Sequence, residues 1–258
     1  MLICFWLARA VLRVDQALVD RGICDSRAQA QRAVMAGQVR INGHPARKAS
    51  DSIRDDDRLE LLQGDRYVSR GGHKLEHGLK QFGVSVAGSH CLDLGASTGG
   101  FTDCLLEHQA ARVVAVDVGL GQLAWKLRQD SRVVVMERTN ARQLAPSSFA
   151  PGLCPFDLIV ADCSFISLRK LFPPASALLR AGGQMIALIK PQFEAGKAEA
   201  DRGRGVITDP AVHARVLAEL EEFVGHLSTG LVWRGVTESP LLGPAGNKEF
   251  LALLERSL

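Results

Sequence analysis

The chain has 258 residues, 47% of them apolar and 23% charged, with 31 Lys and Arg against 28 Asp and Glu for a formal net charge of +3. A chain of this length and balance buries a core without disulfide or metal staples, so wholesale disorder is excluded. No run reaches the roughly 18 apolar residues that a spanning helix needs. The closest, Met1 to Leu12, is broken by Arg9 and lacks the basic flank and small-residue cleavage site of a secretory signal, so residues 1–11 read as an N-terminal extension. The six cysteines form no C-x-x-C pair and offer no zinc spacing. They read as reduced thiols of a cytoplasmic protein, with no metal site.

Charge is unevenly spread. Residues 13–50 hold seven basic and three acidic side chains, a local excess larger than that of the whole chain, and Asp55-Asp56-Asp57 follows. Such segregation points to a small basic module. Val11, Val14, Leu18 and Val19 fall at helical spacing, and Gly22 stops that helix. Ser26 is placed to cap a second helix, Arg27 to Ala36, ending at Gly37. Val39 and Ile41 then alternate with polar neighbours, Asn42-Gly43 signals a hairpin, and a strand over 58–62 completes the unit. Arg27, Gln31 and Arg32 share one face of the second helix, and Arg40 and Lys48 lie beyond it. Together with Arg13 these bases are set to neutralise RNA phosphates. No aromatic residue stands between Arg13 and Leu62, so shape and backbone recognition is expected rather than base stacking.

Residues 63–72 read as a linker, with Gly71-Gly72 making a tight turn and Lys74 opening a helix. Beyond Ser89 the chain alternates strand and helix: HCLDLGAS, RVVAVDV, RVVVME, FDLIVADCS and GGQMIALIKP are apolar strands, with helices over 101–109 and 168–179 between them. Continuous apolar strands alternating with helices predict an α/β domain whose parallel sheet is covered on both faces. Ligands then bind at the carboxyl ends of the strands, which carry Asp93, Asp117, Asn140, Asp162 and Lys190.

The glycine loop after the first strand of that domain runs Gly95-Ala96-Ser97-Thr98-Gly99-Gly100. It lacks the second glycine of a dinucleotide fingerprint, and no Walker lysine follows. Asp93, just before the loop, would repel a pyrophosphate but suits an ammonium group. Asp117, about 20 residues on, suits ribose hydroxyls. Both point to S-adenosylmethionine, with Asn140 reaching its adenine and Ser97, Thr98 and Phe101 shaping its pocket.

Four ionisable residues stand at element ends: Lys74, Asp162, Lys190 and Glu249. A lysine directly after an apolar strand is costly unless it has a partner or a task. Attack by a ribose 2′-hydroxyl on a sulfonium methyl needs a base, and a lysine deprotonated by burial and a second cation supplies one. Lys190 is the candidate base, Lys74 the second cation, and Asp162 and Glu249 orient them. Glu238 is a rival for the last role. The polar stretch 196–208, with Arg202 and Arg204, reads either as a loop closing on RNA or as a plain solvated loop.

Residues 12–62 resemble the RNA-binding domain of the ribosomal-protein-S-four type. The Lys-Asp-Lys-Glu set resembles that of FtsJ/RrmJ-type ribose methyltransferases, whose fold is Rossmann-like. The succession SRGGHKL, DLGASTGGFTDCLL, VVAVDVG, DLIVADCSFISL, LIKPQFE and SPLLGPAGNKEFL resembles the TlyA haemolysin-like family over residues 12–254. The resemblance implies an RNA-binding domain over 12–62, a methyltransferase domain over 73–258, and 2′-O-methylation of ribosomal RNA at cytidine. Its match to GNKEFL favours Glu249 over Glu238. A non-catalytic ribosome-assembly protein and a haemolysin are the rival readings. The first is opposed by the intact set, the second by the lack of amphipathic or spanning segments. A base methyltransferase is opposed by DCSF, which stands where an N-P-P-Y-like motif would follow the fourth strand.

Overall fold

The computed structural model describes residues 12–35, 37–62, 66–196, 199 and 203–257. The N-terminal extension and Arg202 lie outside them. The chain divides into two compact units between Arg66 and Tyr67.

In the first unit, helices α1 (Val14–Asp20) and α2 (Arg27–Met35) are joined by a turn through Gly22, whose φ is +67°. Ser26 Oγ accepts the backbone N–H of Gln29 at 3.3 Å, closing the start of α2 as its sequence position predicts. Strand β1 (Leu12–Arg13) pairs with β4 (Ser52–Ile53). Strands β2 (Val39–Ile41), β3 (His44–Pro45) and β5 (Leu59–Leu61) form an antiparallel sheet ordered β3-β2-β5. The hairpin between β2 and β3 turns at Asn42 and Gly43, both with positive φ, which matches the twist of the strands they join. Val14, Leu18, Ala30, Val34, Val39 and Ile53 make its core.

One polar residue is buried at the centre of this unit. Asp15 is fully covered and accepts from Arg13 Nε and Nη2 (3.0 and 2.9 Å), Arg27 Nη2 (3.1 Å) and Gln31 Nε2 (2.9 Å). The Arg13 bonds, then those of Gln31 and Arg27, hold its carboxyl well below the usual carboxylate range despite burial. Two of the five bases expected to meet RNA are therefore engaged inside the protein, each side chain still about half exposed.

The second unit begins earlier than the sequence suggests. Tyr67 is buried in its core, and the N–H of Val68 donates to Asp103 Oδ2 at 2.7 Å. Gly71 and Gly72, expected in a linker turn, instead open helix α3 (Gly71–Phe82). A Cβ on Gly72 would lie 2.2 Å from the Tyr67 ring, so the glycine is required by close approach and not by a turn. The chain continues through β6 (His90–Leu94), α4 (Gly100–Glu107), β7 (Arg112–Val116), α5 (Trp125–Arg128) and β8 (Val133–Met136). Then come β9 (Phe156–Ala161), α6 (Phe172–Leu178), β10 (Leu179–Ile189), α7 (Pro191–Glu194), α8 (Pro210–Gly225), β11 (Leu231–Glu238) and β12 (Phe250–Arg256).

The described strands of this unit form one sheet in the order β11-β12-β10-β9-β6-β7-β8. The pairs β10-β9, β9-β6, β6-β7 and β7-β8 are parallel. β12 is antiparallel to both β10 and β11, so it alone of these strands runs backwards. Strand order reverses between β6 and β9, and the crevice at their carboxyl ends is where such sheets bind ligands. Both faces are apolar because successive strand residues enter opposite cores. Leu92, Val114, Ile159, Met185 and Ala252 enter one, and Cys91, Val113, Leu158, Ile186 and Leu251 the other.

Asp15→Ala should lower the opening free energy of the α1 and α2 amides in hydrogen exchange by about 1–3 kcal/mol, since it removes the shared acceptor of three donors. A carboxyl held below its unfolded value contributes stability above that value and loses it as pH falls through the depressed one. The wild-type advantage over the variant should therefore disappear only in strong acid.

Candidate active site

The parity of the sheet decides which charged residues meet. Asp93 lies between Leu92 and Leu94 of one core, so it points to the other, the α3–α4 side. One residue beyond their strands, Asp117, Asp162 and Lys190 continue the same alternation, and Glu249 precedes β12 with the parity of Leu251. Antiparallel pairing of Ile189 with Phe250 sets Lys190 beside Glu249, and parallel pairing of Ala161 with Ala187 sets Asp162 beside the end of β10. Helix α3 lies on that face and delivers Lys74 from the turn that buries Leu75.

The result is two ion pairs, the first buried and the second with a buried lysine and a partly exposed carboxylate. Lys74 Nζ is 2.5 Å from Glu249 Oε2, with the side chains 7% and 1% exposed. Lys190 Nζ is 2.6 Å from Asp162 Oδ1 in a contact that is ionic rather than a directed hydrogen bond, and it donates to Ser164 Oγ at 2.8 Å. All four residues singled out by sequence are brought together. The rival Glu238 is half exposed and paired with Lys248 on the surface. A Cβ on Gly243 would lie 2.5 Å from Glu249 Oε1, so the loop before β12 packs directly on the glutamate.

The glycine loop closes the other side of the crevice. Gly95 (φ +84°), Ser97 (+49°) and Gly99 (+98°) are all left-handed. A Cβ on Gly95 would sit 3.0 Å from the Asp162 carbonyl oxygen, so glycine lets the loop touch the end of β9. Ser97 takes its strained conformation while its N–H donates to Asp117 Oδ2 at 2.8 Å, and the Gly119 N–H donates to Asp117 Oδ1 at 2.7 Å. Each Asp117 oxygen keeps a lone pair for a hydroxyl. Asp93 is fully buried: Oδ2 accepts from Thr102 Oγ1 at 2.7 Å, and Oδ1 has no partner. Burial pushes its carboxyl up to about 7, with the charge of Asp162 adding to the effect.

Three cofactor assignments look different in the structure. Phe101 is 2% exposed and belongs to the core around Tyr67 and Leu75, not to a pocket wall. The Asn140 side chain caps the short turn 141–143, accepting from the Arg142 N–H at 3.1 Å. Asp93 has no accessible surface, so a cation in the crevice would meet it through space or one bridging water rather than by direct contact. Thr98 is exposed, and its carbonyl accepts from the Ala124 N–H.

Sequence reasoning passed over three groups. Ser164 touches Lys190. Phe165 is 90% exposed on a left-handed backbone, its ring 5.1 Å from that of Phe193. Asn247 is buried and ties the end of the polar loop down, accepting from Ile207 N and donating to the Gly205 carbonyl, both at 2.8 Å. A hydroxyl and an aromatic ring two and three residues after Asp162 are the available signal for the first two.

The donor set suits a cationic, phosphate-free ligand. An unpartnered buried carboxylate oxygen and two further aspartates ring the loop. Among the described residues no helix is long and apolar enough to cross a membrane. The fold and the site are those of a methyltransferase that uses S-adenosylmethionine. Residues 67–256 match the FtsJ-like methyltransferase family, and residues 12–59 match the S4 domain. The 16S/23S rRNA (cytidine-2′-O)-methyltransferase TlyA of Mycobacterium tuberculosis is 48% identical over 247 residues, covering 94% of this chain and 89% of that protein. Hemolysin A of Brachyspira hyodysenteriae is 40% identical over 241 residues, covering 93% and 98%. A solved structure from Streptococcus thermophilus, described as a hemolysin, has a TM-score of 0.72 at 43% identity and covers 97% of this chain and 90% of its own. The chain belongs to the FtsJ-like methyltransferase family.

With its carboxyl raised from 3.8 to about 7, Asp93 favours the folded state most below 3.8 and progressively less as pH rises to about 7. A bound cation gains as that carboxylate ionises. Calorimetry should therefore show S-adenosylmethionine binding tighter at pH 7 than at pH 5.5, below the range where its own α-amino group loses a proton, and Asp93→Asn should weaken binding at pH 7 and flatten this dependence.

Proposed function

We propose that the protein methylates the ribose 2′-hydroxyl of ribosomal RNA, in the cytoplasm, with ribosomal subunits or their RNA as substrate and a cytidine as target, the nucleoside that its Mycobacterium relative is named for. The observation that carries this reading is the pair of buried Lys–carboxylate contacts meeting beside the glycine loop. When bound, S-adenosylmethionine supplies an electrophilic methyl group on a sulfonium.

The chain's own residues do the rest. Asp117 receives ribose hydroxyls, and the loop at Gly95, Ser97 and Gly99 receives the amino-acid end. Lys190 takes the proton of the 2′-hydroxyl at Nζ. Asp162 then holds the resulting ammonium. Lys74, fixed by Glu249, adds positive potential against developing charge on the ribose oxygen. Phe165 offers an open aromatic face beside this point, where an unstacked base fits.

RNA is held by the first unit. Arg32, Arg40 and Lys48 are exposed, and the side chains of Arg32 and Lys48 make no ion pair among the described residues. They suit phosphate contact better than Arg13 and Arg27, which also serve Asp15.

Lys190→Ala should lower transfer from tritiated S-adenosylmethionine to ribosomal RNA by at least about 100-fold, the usual worth of a general base. Calorimetric binding of the methyl donor should persist, and nucleoside mass spectrometry of the wild-type product should show 2′-O-methylcytidine. Near-normal turnover in the variant would remove Lys190 from the role. Arg32→Glu with Lys48→Glu should weaken RNA binding and flatten the slope of log K against log salt by about 1–2, as expected for two lost phosphate contacts.

A further inference from the structure

Lys190 has two partners, Asp162 Oδ1 and Ser164 Oγ. Nζ donates to the Ser164 hydroxyl and lies in ionic contact with the Asp162 carboxylate. These two contacts together fix where the amine points. Ser164 thus matters to aim, yet it sits in an irregular segment between β9 and the short turn 168–170, and that segment carries a strained residue. Phe165 has φ +63°, a backbone that a bulky side chain keeps only when its surroundings impose it.

The restraint comes from the neighbouring strand. Glu194 ends α7, which begins directly after Lys190. Its Oε2 accepts from Ser167 Oγ and its Oε1 from the Leu168 N–H, both at 2.7 Å. Ser167 in turn caps the 168–170 turn through the Arg169 N–H. The carboxyl is partly buried, and burial pushes it above the usual range. One carboxylate therefore clips the segment after β9 to the helix after β10, and Phe165 packs on Phe193 across the same gap.

We infer that Ser164 and Glu194 are positioning residues for methyl transfer: Glu194 fixes the Ser164 segment, and Ser164 with Asp162 aims the Lys190 amine. This rests on the reading of Lys190 as the base. During the step the O–H bond of the 2′-hydroxyl breaks and its proton bonds to Nζ, while the contacts of Nζ with Asp162 and Ser164 stay in place.

Single-turnover methylation of ribosomal RNA tests it, alongside separate binding measurements for RNA and for S-adenosylmethionine. Ser164→Ala and Glu194→Ala should each slow the single-turnover rate about 10- to 100-fold, the scale of a small misplacement, with both binding constants unchanged. The double variant should be no slower than the slower single one, because the two act in series. Ser164 is exposed, so its variant reports on aim even where Glu194→Ala fails to fold, and Glu194→Gln, which keeps one acceptor, should fall between wild type and Glu194→Ala. A wild-type rate in Ser164→Ala overturns the inference, as do singles that multiply in the double variant or a Glu194→Ala loss matched by lost binding. Lys190→Ala in the same series separates the two readings. If it stays active, the base assignment fails. If it is inactive while Ser164→Ala and Glu194→Ala are normal, only the positioning role fails.

Discussion

An ammonium group removed from water needs a counter-charge within contact distance, and the active end of this sheet is arranged around that need. Lys74 and Lys190 are each under 10% exposed, and each has a carboxylate at about the shortest approach an ion pair allows. The four residues come from α3, the end of β9, the end of β10 and the start of β12. Lys74 finds its partner only when the last strand, 175 residues away, has inserted between β10 and β11. Completing the fold and completing the site are the same event. Buried ion pairs are also poor stabilisers, since well-packed apolar residues of similar volume often serve the fold as well. Stability alone therefore gives little reason for two such pairs in one crevice, whereas the proposed proton transfer gives a direct one.

Sequence could be read furthest where the physics is one-dimensional. Strands buried on both faces leave unbroken apolar runs, and a charged residue at the end of such a run stands out, which is how Asp162 and Lys190 declared themselves. The reversed strand β12 and its neighbour β11 carry weaker signals and were not placed as strands. Contacts across the fold were hidden. Gly71-Gly72 looks like turn chemistry but serves the close packing of Tyr67. Phe101 follows a ligand loop in sequence, yet its ring is claimed by the core. Arg27 looks like a free base on a helix face until Asp15, twelve residues back, is found beneath it. Ser164 and Glu194 show no periodicity, because their contacts join loops after two adjacent strands.

The glycine loop shows how one backbone shape is given different ligands by its charges. The turn needs left-handed residues, and two glycines and a serine supply them. In dinucleotide folds the loop's N–H groups face phosphate. Here the N–H of Ser97 is already given to Asp117, and Asp93 and Asp162 close the other sides. A polyanion would meet three carboxylates and lose a donor, whereas a cation gains from each. Discrimination is thus built into the strand ends and not into the glycine pattern itself.

The same accounting separates holding RNA from modifying it. Around the crevice, Lys74 and Lys190 are matched by Glu249 and Asp162, and Asp93 and Asp117 add further negative charge. Among these described charges little net attraction for phosphates arises. The basic excess of the first unit has the opposite character: Arg32, Arg40 and Lys48 are exposed, and salt screens them. On the proposed reading, RNA affinity resides in charges that water reaches freely, and the chemistry in charges that are mostly covered. A change in ionic strength therefore acts on capture of the RNA while leaving the chemical step, once the RNA is bound, nearly untouched.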